Sequence, residues 1–383
     1  MINSPKWVIV VALLVSMARL GHTQGFNDVR EWLLPWPGRT TGAHASGAMP
    51  DAESVANCCS MGSGSTHELT FNRREGGKVF WITGQNYDHI ARVDVDGHAT
   101  FFHMGDGSGP HGIEFDDQGR LWVSLEFSGC VARVDDSGII QEGIDVRLFA
   151  KGASEPINTH PHGLGIGADG KTIWFTGKKT NTVGKINPDG SVEHFALPTV
   201  GAVPIYIAAG PDGNMWCTEL VGNMIARITP NGEITEFKIP TYNSRPIAII
   251  PGPDGKSMWF SEEAGNKVAR IDLAGNITEF RVPLTQSNVI LAGLAFDNEG
   301  NLWTQSYVDI HNPLPEGPDH IIKLDKTIHS SPAGDLSRIP VTYYEVPTRL
   351  TVMHRIVQGP DGNMWFTELG ADKLGKVIIG KGK

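Results

Sequence analysis

The sequence has few cysteines, no basic run and no sustained helical period. Its 383 residues include only four Cys, and none of them shows the Cys-x-x-Cys spacing of a zinc or redox site. Lys and Arg total 32 against 42 Asp and Glu, which gives a net charge of −10. Nucleic acid and anionic membrane surfaces are therefore not expected partners.

Long apolar runs are also missing, apart from one at the N-terminus. Lys6 precedes the apolar run 7–17, and small and polar residues follow over 18–24. This pattern predicts a secretory signal peptide over residues 1–24, and the run is shorter than a membrane span requires. An uncleaved anchor is the alternative. We expect a secretory or extracellular protein with one domain over 25–383 and no stable membrane insertion after signal removal.

A secretory route has consequences for the cysteines and for one asparagine. Either Cys58 or Cys59 could pair with Cys130 in an oxidising compartment, and the sequence leaves that choice open. Cys217 takes the place of a Phe in the repeat described next, so we expect it in the core. Asn276-Ile-Thr is an N-glycosylation acceptor in a eukaryotic host.

Internal repeats dominate the chain. Gly210-Pro-Asp-Gly-Asn-Met-Trp-Cys-Thr-Glu219 returns almost unchanged as Gly359-Pro-Asp-Gly-Asn-Met-Trp-Phe-Thr-Glu368. Together with weaker copies elsewhere in the chain, these segments carry seven marker tryptophans, namely Trp81, Trp122, Trp174, Trp216, Trp259, Trp303 and Trp365. A period of about 40–50 residues is typical of propeller blades.

Each copy predicts four short antiparallel strands, because an apolar run, an Asp-Gly turn, the Trp strand and two further turn-separated strands follow one another. The fold class is therefore all-β, a seven-bladed β-propeller with four-stranded blades. The last repeat ends after its third strand, and 29–35 resembles the missing fourth strand. We expect this N-terminal strand to close the last blade.

Antiparallel pairing places the start of the first strand beside the end of the second at one rim of the central channel. The strand-start residues are His67, His111, His162, Ile205, Ile247, Ala292 and His354. The strand-end residues include Gln85, Glu126, Lys178, Glu219, Glu262 or Glu263, Gln305 and Glu368. Blades one, two, three and seven are polar at this rim, and blades four to six are apolar, which suits an organic ligand with one functionalised end.

His111, His162 and Glu126 are the predicted catalytic residues, because imidazole is the usual general base near neutral pH. The predicted substrate-binding residues are His67, His160, Tyr206, Ile247, Ala292, His354 and Glu368. The imidazoles and a carboxylate could instead hold a divalent metal, or could simply bond backbone groups at strand ends. A Glu that recurs in several blades also has a structural alternative, bonding between blades.

The segment Trp216–Thr229 and the following residues 232–241 carry a motif that resembles the virginiamycin B lyase (streptogramin lyase) family. The resemblance extends over roughly residues 65–380. The resemblance implies a seven-bladed propeller that opens a cyclic depsipeptide by metal-assisted elimination. The family's catalytic His matches His354, but Val352 replaces the metal-binding Glu, and Ile247 replaces a second His. The Pro-His-Gly segments at His111 and His162 are the best local matches to the family pattern.

The length, signal segment and repeats are also similar to those of the fungal hetero-Diels–Alderases of tropolone–sesquiterpenoid biosynthesis. That resemblance implies a cyclase that joins a tropolone ortho-quinone methide to a humulene-type alkene, with a small-molecule substrate and no metal or other cofactor. The alternatives are a lyase that requires Mg²⁺ and a non-catalytic binding propeller, because fold does not determine function.

Overall fold

The four-strand repeat occurs seven times in the structure, a computed structural model that describes residues 23–24, 28–37, 64–73, 77–332, 334 and 336–380. Two N-terminal strands come first, β1 (Thr23–Gln24) and β2 (Val29–Leu33). Blade one contains β3 (Thr66–Phe71), β4 (Val79–Gly84), β5 (His89–Asp94) and β6 (Ala99–His103). Blade two contains β7 (Pro110–Phe115), β8 (Leu121–Leu125), β9 (Cys130–Val134) and β10 (Ile140–Asp145). Blade three contains β11 (Pro161–Ile166), β12 (Ile173–Gly177), β13 (Thr182–Ile186) and β14 (Val192–Ala196).

The second half of the ring follows the same order. Blade four contains β15 (Pro204–Ala209), β16 (Met215–Glu219), β17 (Met224–Ile228) and β18 (Ile234–Lys238). Blade five contains β19 (Pro246–Pro251), β20 (Ser257–Glu262), β21 (Lys267–Asp272) and β22 (Ile277–Arg281). Blade six contains β23 (Val289–Phe296), β24 (Leu302–Val308), β25 (His320–Leu324) and β26 (Val341–Glu345). Blade seven contains β27 (Met353–Gln358), β28 (Met364–Glu368) and β29 (Lys373–Val377), and the 3-10 helices are Gln85–Tyr87 and Lys326–Ser330.

The predicted ring closure is confirmed, since β2 is the outer strand of blade seven. It pairs antiparallel with β29, with Val29 opposite Val377 and Leu33 opposite Lys373. Asp372 holds the first blade to the last, because its carboxylate accepts hydrogen bonds from Ser65 N at 2.7 Å and from Thr66 Oγ1 at 3.1 Å. A closed ring leaves few exposed strand edges.

The remaining N-terminal strand, β1, adds to the outer edge of blade six. Its two residues pair in parallel with Tyr343 and Tyr344 of β26. They are the part of the predicted signal segment 1–24 that the structure describes, and residues 1–22 lie outside the described residues. No helix among the described residues is long and apolar enough to cross a membrane.

The repeated tryptophans form the core between blades. Trp216, Trp259, Trp303 and Trp365 are completely buried. In four blades an Asp of the preceding turn accepts the indole N–H, and the pairs are Asp116–Trp122, Asp212–Trp216, Asp297–Trp303 and Asp361–Trp365. The buried Trp259 indole N–H has no hydrogen-bond partner among the described residues. In six blades an aromatic ring of the outer strand stacks on the marker indole. The stacked pairs are Trp81–Phe102, Trp174–Phe195, Trp216–Phe237, Trp259–Phe280, Trp303–Tyr344 and Trp365–Trp32.

The cysteine predictions have different outcomes. Cys217 is completely buried in the cluster of Trp174 and Ile207, so its core position is confirmed. Cys130 is partly buried and forms no disulfide with a described cysteine. Its pairing stays a prediction, because Cys58 and Cys59 lie outside the described residues.

Candidate functional site in the central channel

A β-bulge at the start of every first strand places the strand-start residues on the channel axis. In blade one, Thr66 pairs with Gly84 and Leu69 with Ile82, so His67 and Glu68 fall between the two registers. A bulge redirects the side chains of the extra residues. Equivalent shifts occur in the other six blades.

Second-strand hydroxyl groups hold these bulges and link each blade to the next. Thr83 Oγ1 accepts a hydrogen bond from Glu68 N at 3.0 Å and donates to the carbonyl oxygen of His111, in the next blade, at 2.8 Å. Ser124, Thr176, Thr218 and Thr367 make the same two contacts in blades two, three, four and seven. The recurring Thr of the sequence motif is therefore structural.

Four imidazoles meet on the axis, as the strand-start pattern predicts. His111 and His162 are stacked, with ring centroids 3.6 Å apart. His67 lies 5.0 Å from His111 and 5.3 Å from His354 by the same measure. Burial is the main reason that the pKa of His67 falls to about 3 and that of His111 falls well below its ordinary value. Both imidazoles are therefore neutral near pH 7.

Glu126 organises one side of this imidazole cluster. Its Oε2 accepts hydrogen bonds from Gln85 Nε2 at 2.7 Å and from His162 Nδ1 at 2.8 Å. His160 Nδ1 and Lys178 Nζ approach its Oε1 at 3.7 and 3.6 Å. Burial alone would raise the pKa of Glu126, but Lys178 and the two histidines outweigh it and hold the pKa well below its ordinary range.

Glu68 organises the other side, and strand-position reasoning missed it. Its Oε1 accepts hydrogen bonds from His354 Nδ1 at 2.9 Å and from the Tyr206 hydroxyl group, and its Oε2 lies 3.6 Å from Arg355 Nε. Burial would raise the pKa of Glu68, but Arg355 and His354 outweigh it and lower the pKa to about 2. Glu68 is therefore a permanent carboxylate. Glu68 and Arg355 each follow a strand-start histidine directly, so inspecting the next residue would have found them.

A cavity of about 670 Å³ extends from the bulges to the far ends of the first strands. All four charged residues of its lining come from blades one, two and seven, namely Glu68, Arg73, Glu114 and Arg355. Blades three to six supply an apolar wall that includes Leu164, Ile166, Ile207, Ala208, Ile249, Ile250, Leu294 and Ala295. The cavity is thus polar on one side and apolar on the other.

Tyr206, from blade four, crosses to the polar side. Its hydroxyl group bonds Glu68, and the Arg355 guanidinium lies 5.7 Å from its ring centroid. Tyr206, Glu68 and Arg355 line the cavity, whereas His67, His111, His162 and His354 each precede a lining residue in the chain. These three residues form the cavity floor, and the imidazole cluster lies beneath it.

The apolar strand-start residues are in the packed interior. Ile205, Ile247 and Ala292 are 1%, 7% and 3% exposed. A ligand in the cavity would therefore meet the residues that follow along these strands, such as Ala208 and Ile250. Asn276, the predicted glycosylation acceptor, is exposed in the turn between β21 and β22, and its modification stays a prediction.

The predicted strand-end residues do not all hold the same position on the second strand, and some lie one residue beyond it. Glu219, Glu262 and Glu368 pair directly with the first strand, opposite Pro204, Pro246 and Met353. Leu125 holds that position in blade two, opposite Pro110, so Glu126 is one residue further along. Side chains alternate along a strand, and the two kinds of glutamate therefore point to opposite sides. The carboxyl group of Glu368 lies near Glu31 and Lys373 and is not part of the cluster on the axis.

Among the described residues, two groups of side chains have ligand atoms close enough to share a metal ion, namely Glu68, His111 and His354, and His111, Glu126 and His162. Nδ1 of His111 donates to the carbonyl oxygen of His162 at 3.3 Å, and its buried Nε2 has no hydrogen-bond partner among the described residues. Two imidazoles and one carboxylate suit a zinc-like ion, whereas Mg²⁺ prefers oxygen ligands. The groups therefore fit a transition metal better than the Mg²⁺ of the lyase alternative, which stays a prediction.

Comparisons with known proteins agree with the fold. A sequence model of the Virginiamycin B lyase family matches residues 68–310. The virginiamycin B lyase of Nocardia farcinica is 32% identical over 134 residues, which span 35% of this chain and 42% of that relative. A virginiamycin B lyase structure from Staphylococcus aureus is 28% identical, with a TM-score of 0.67 over 82% of this chain and 95% of its own. A catalytically inactive variant from the same organism, solved with quinupristin, is 25% identical, with a TM-score of 0.69 over 92% and 99% of the two chains.

Proposed function

The chain belongs to the virginiamycin B lyase family, and we propose that it is a cyclase of the hetero-Diels–Alderase type that works in the central cavity. It would join a tropolone ortho-quinone methide to a humulene-type sesquiterpene without a metal. The observation that carries the proposal is the division of the cavity into a charged wall and an apolar wall.

The two walls match the two partners of such a cycloaddition. The oxygen-rich quinone methide would lie against Arg355 and Glu114, and the hydrocarbon against Ile207, Ile250 and Leu294. Holding two reactants in a reactive orientation converts a bimolecular step into an effectively unimolecular one. Burying the hydrocarbon would contribute about 25 cal/mol per Å² of apolar surface removed from water.

The test is turnover of a hydroxymethyl tropolone precursor with humulene by purified protein, read by mass spectrometry, before and after EDTA dialysis and with metal content measured. We expect a cycloadduct whose rate of formation is unchanged by EDTA. Loss of turnover in EDTA would reject the metal-independent proposal. Binding of both compounds without turnover would instead support a binding propeller.

A lyase is the second candidate, because the relatives are lyases and the axis holds two groups that fit a metal ion. An ion held by His111, Glu126 and His162 would supply Lewis-acid polarisation of a substrate oxygen. Around it, Tyr206 and Arg355 would orient the substrate at the cavity floor. The expected sign of this candidate is metal-dependent opening of quinupristin, read as a linear product.

A further inference from the structure

One titratable group on the cavity wall can exchange a proton with a ligand as well as contact it. The titratable residues of the lining are Glu68, Arg73, Glu114, Tyr206 and Arg355. An arginine does not release its proton in proteins, and Glu68 is held as a carboxylate by Arg355, His354 and Tyr206. The Tyr206 hydroxyl proton is directed at Glu68. Glu114 is the group left to exchange protons with a ligand in this cavity.

The position of Glu114 suits that exchange. It lies on β7, and its side chain is 29% exposed and lines the cavity. Its Oε1 accepts a hydrogen bond from Arg355 Nη2 at 3.1 Å, and its Oε2 accepts one from Thr70 Oγ1 at 3.3 Å. Each carboxylate oxygen has a second lone pair. Both oxygens therefore keep acceptor capacity for a ligand.

The charges around Glu114 come from blades one and seven. Burial raises its pKa above the ordinary value, the Glu68 carboxylate raises it further, and Arg355 and Arg73 reduce but do not cancel this shift. Catalytic carboxyl groups work best when their pKa approaches the operating pH. Glu114 can thus hold a proton at a pH where an exposed glutamate has lost it, and Arg355 stabilises the carboxylate once that proton has left.

We propose that Glu114 is the general acid–base of the cavity, acting on an enol that carries a hydroxyalkyl group on the neighbouring ring carbon. Protonated Glu114 gives its proton to the leaving hydroxyl group, the C–O bond breaks, and water departs. The Glu114 carboxylate then takes the enol O–H proton, and that electron pair forms the new C=O bond as the exocyclic C=C forms. The net reaction is loss of one water and needs no co-reactant. The product is an ortho-quinone methide, so this inference rests on the proposed function.

The experiment compares two leaving groups in the Glu114→Gln variant. With the hydroxymethyl precursor, turnover should fall at least about 100-fold, the low end of general acid–base effects. With the acetoxymethyl precursor, which expels acetate without prior protonation, only the removal of the enol proton loses its catalyst, so turnover should fall much less than with the hydroxymethyl precursor. Glu114→Asp should recover part of the lost activity. The alkaline fall in the wild-type rate, where Glu114 loses its proton, should disappear in the glutamine variant.

Glu142→Gln is the matched control, since Glu142 lies on the outer strand of the same blade and pairs with Arg133 away from the cavity. An equal loss on both precursors in Glu114→Gln would mean that Glu114 does not protonate the leaving group, and would overturn the inference while leaving the cyclase intact. Unchanged turnover of the hydroxymethyl precursor would overturn it as well. If the wild-type protein converts neither precursor, the proposed function fails and this inference fails with it.

Discussion

Two sets of buried glutamates in this propeller behave in opposite ways. Glu68 and Glu126, on the channel axis, face Arg355 and Lys178, and their pKa values are lowered. Glu219 and Glu262, on the second strands of blades four and five, each face a carboxyl group on the outer strand of the same blade, and burial together with that neighbour raises their pKa values to about 9 and about 8. Burial raises the pKa of any carboxyl group, and the charge of the neighbour decides whether the group stays ionised.

These glutamate pairs share one construction. Glu236 accepts hydrogen bonds from Thr199 N and Oγ1 at 2.8 and 2.7 Å, so it is the carboxylate of its pair. Glu219, completely buried, accepts no hydrogen bond from the described residues, and when protonated it can donate to Glu236. Glu262 with Glu279 and Glu368 with Glu31 repeat this arrangement in blades five and seven. The recurring Glu thus faces a partner in its own blade, and it is the partner that bonds the segment leading in from the preceding blade, through Thr199, Thr241 and Thr348.

The largest expected effect comes from the same Glu→Gln substitution made in both sets. Glu68→Gln leaves His354 without its carboxylate and Arg355 with Glu114 alone, so the free energy of unfolding at pH 7 should fall by about 3 kcal/mol. Glu219→Gln replaces a protonated group with a neutral isostere, and stability should be unchanged or higher. Urea unfolding of both variants measures the difference. Equal losses would show that the neighbouring charge does not distinguish the two sets.

A second prediction concerns pH. The pKa of Glu262 is about 8 in the folded protein against an ordinary value of 4.5, so folding binds a proton between these values. The stability from Glu262 is therefore complete below pH 4.5 and is lost as pH rises through about 8. Glu262→Gln should remove this loss and be more stable than wild type at pH 8 by at least about 1 kcal/mol.

Thermal unfolding from pH 5 to pH 9 provides the measurement. Glu263→Gln is the control at the neighbouring position, because Glu263 pairs with the cation of Arg245 at 2.7 Å. If stability changed with pH in the same way in Glu262→Gln and in the wild type, the raised pKa of Glu262 would be contradicted.

The smallest expected effect comes from adding to blade four a lysine that blades five and seven already carry. Lys267 and Lys373 stand opposite Glu262 and Glu368, and each bonds the carboxylate of its pair at 2.7 Å. Met224 holds the equivalent position opposite Glu219. Met224→Lys should lower the pKa of Glu219 and stabilise the protein at pH 8 by about 0.5–1 kcal/mol, as expected for a partly exposed ion pair. A destabilised variant at pH 8 would show that blade four cannot accept the cation.

The repeat, the four-strand blade and the closing strand were all readable from the sequence. Turn residues and alternating apolar positions act locally, so seven copies of a Gly turn followed by a Trp strand predict seven similar blades. The four strand-start histidines were found in the same way, because equal positions in equal blades meet on one axis. The two-sided character of the channel followed from the same alignment.

Only the tertiary structure decided which carboxylates reach that axis. A one-residue difference in register separates Glu126 from Glu219, and side chains alternate at every residue, so a motif that aligns both carries no information on direction. Glu68, Tyr206 and Arg355 come from blades one, four and seven, and their contacts span 138 and more residues of chain, which no local pattern encodes. Their charges, and the depth at which the closed ring buries them, determine which groups stay ionised and which can carry a proton to a ligand.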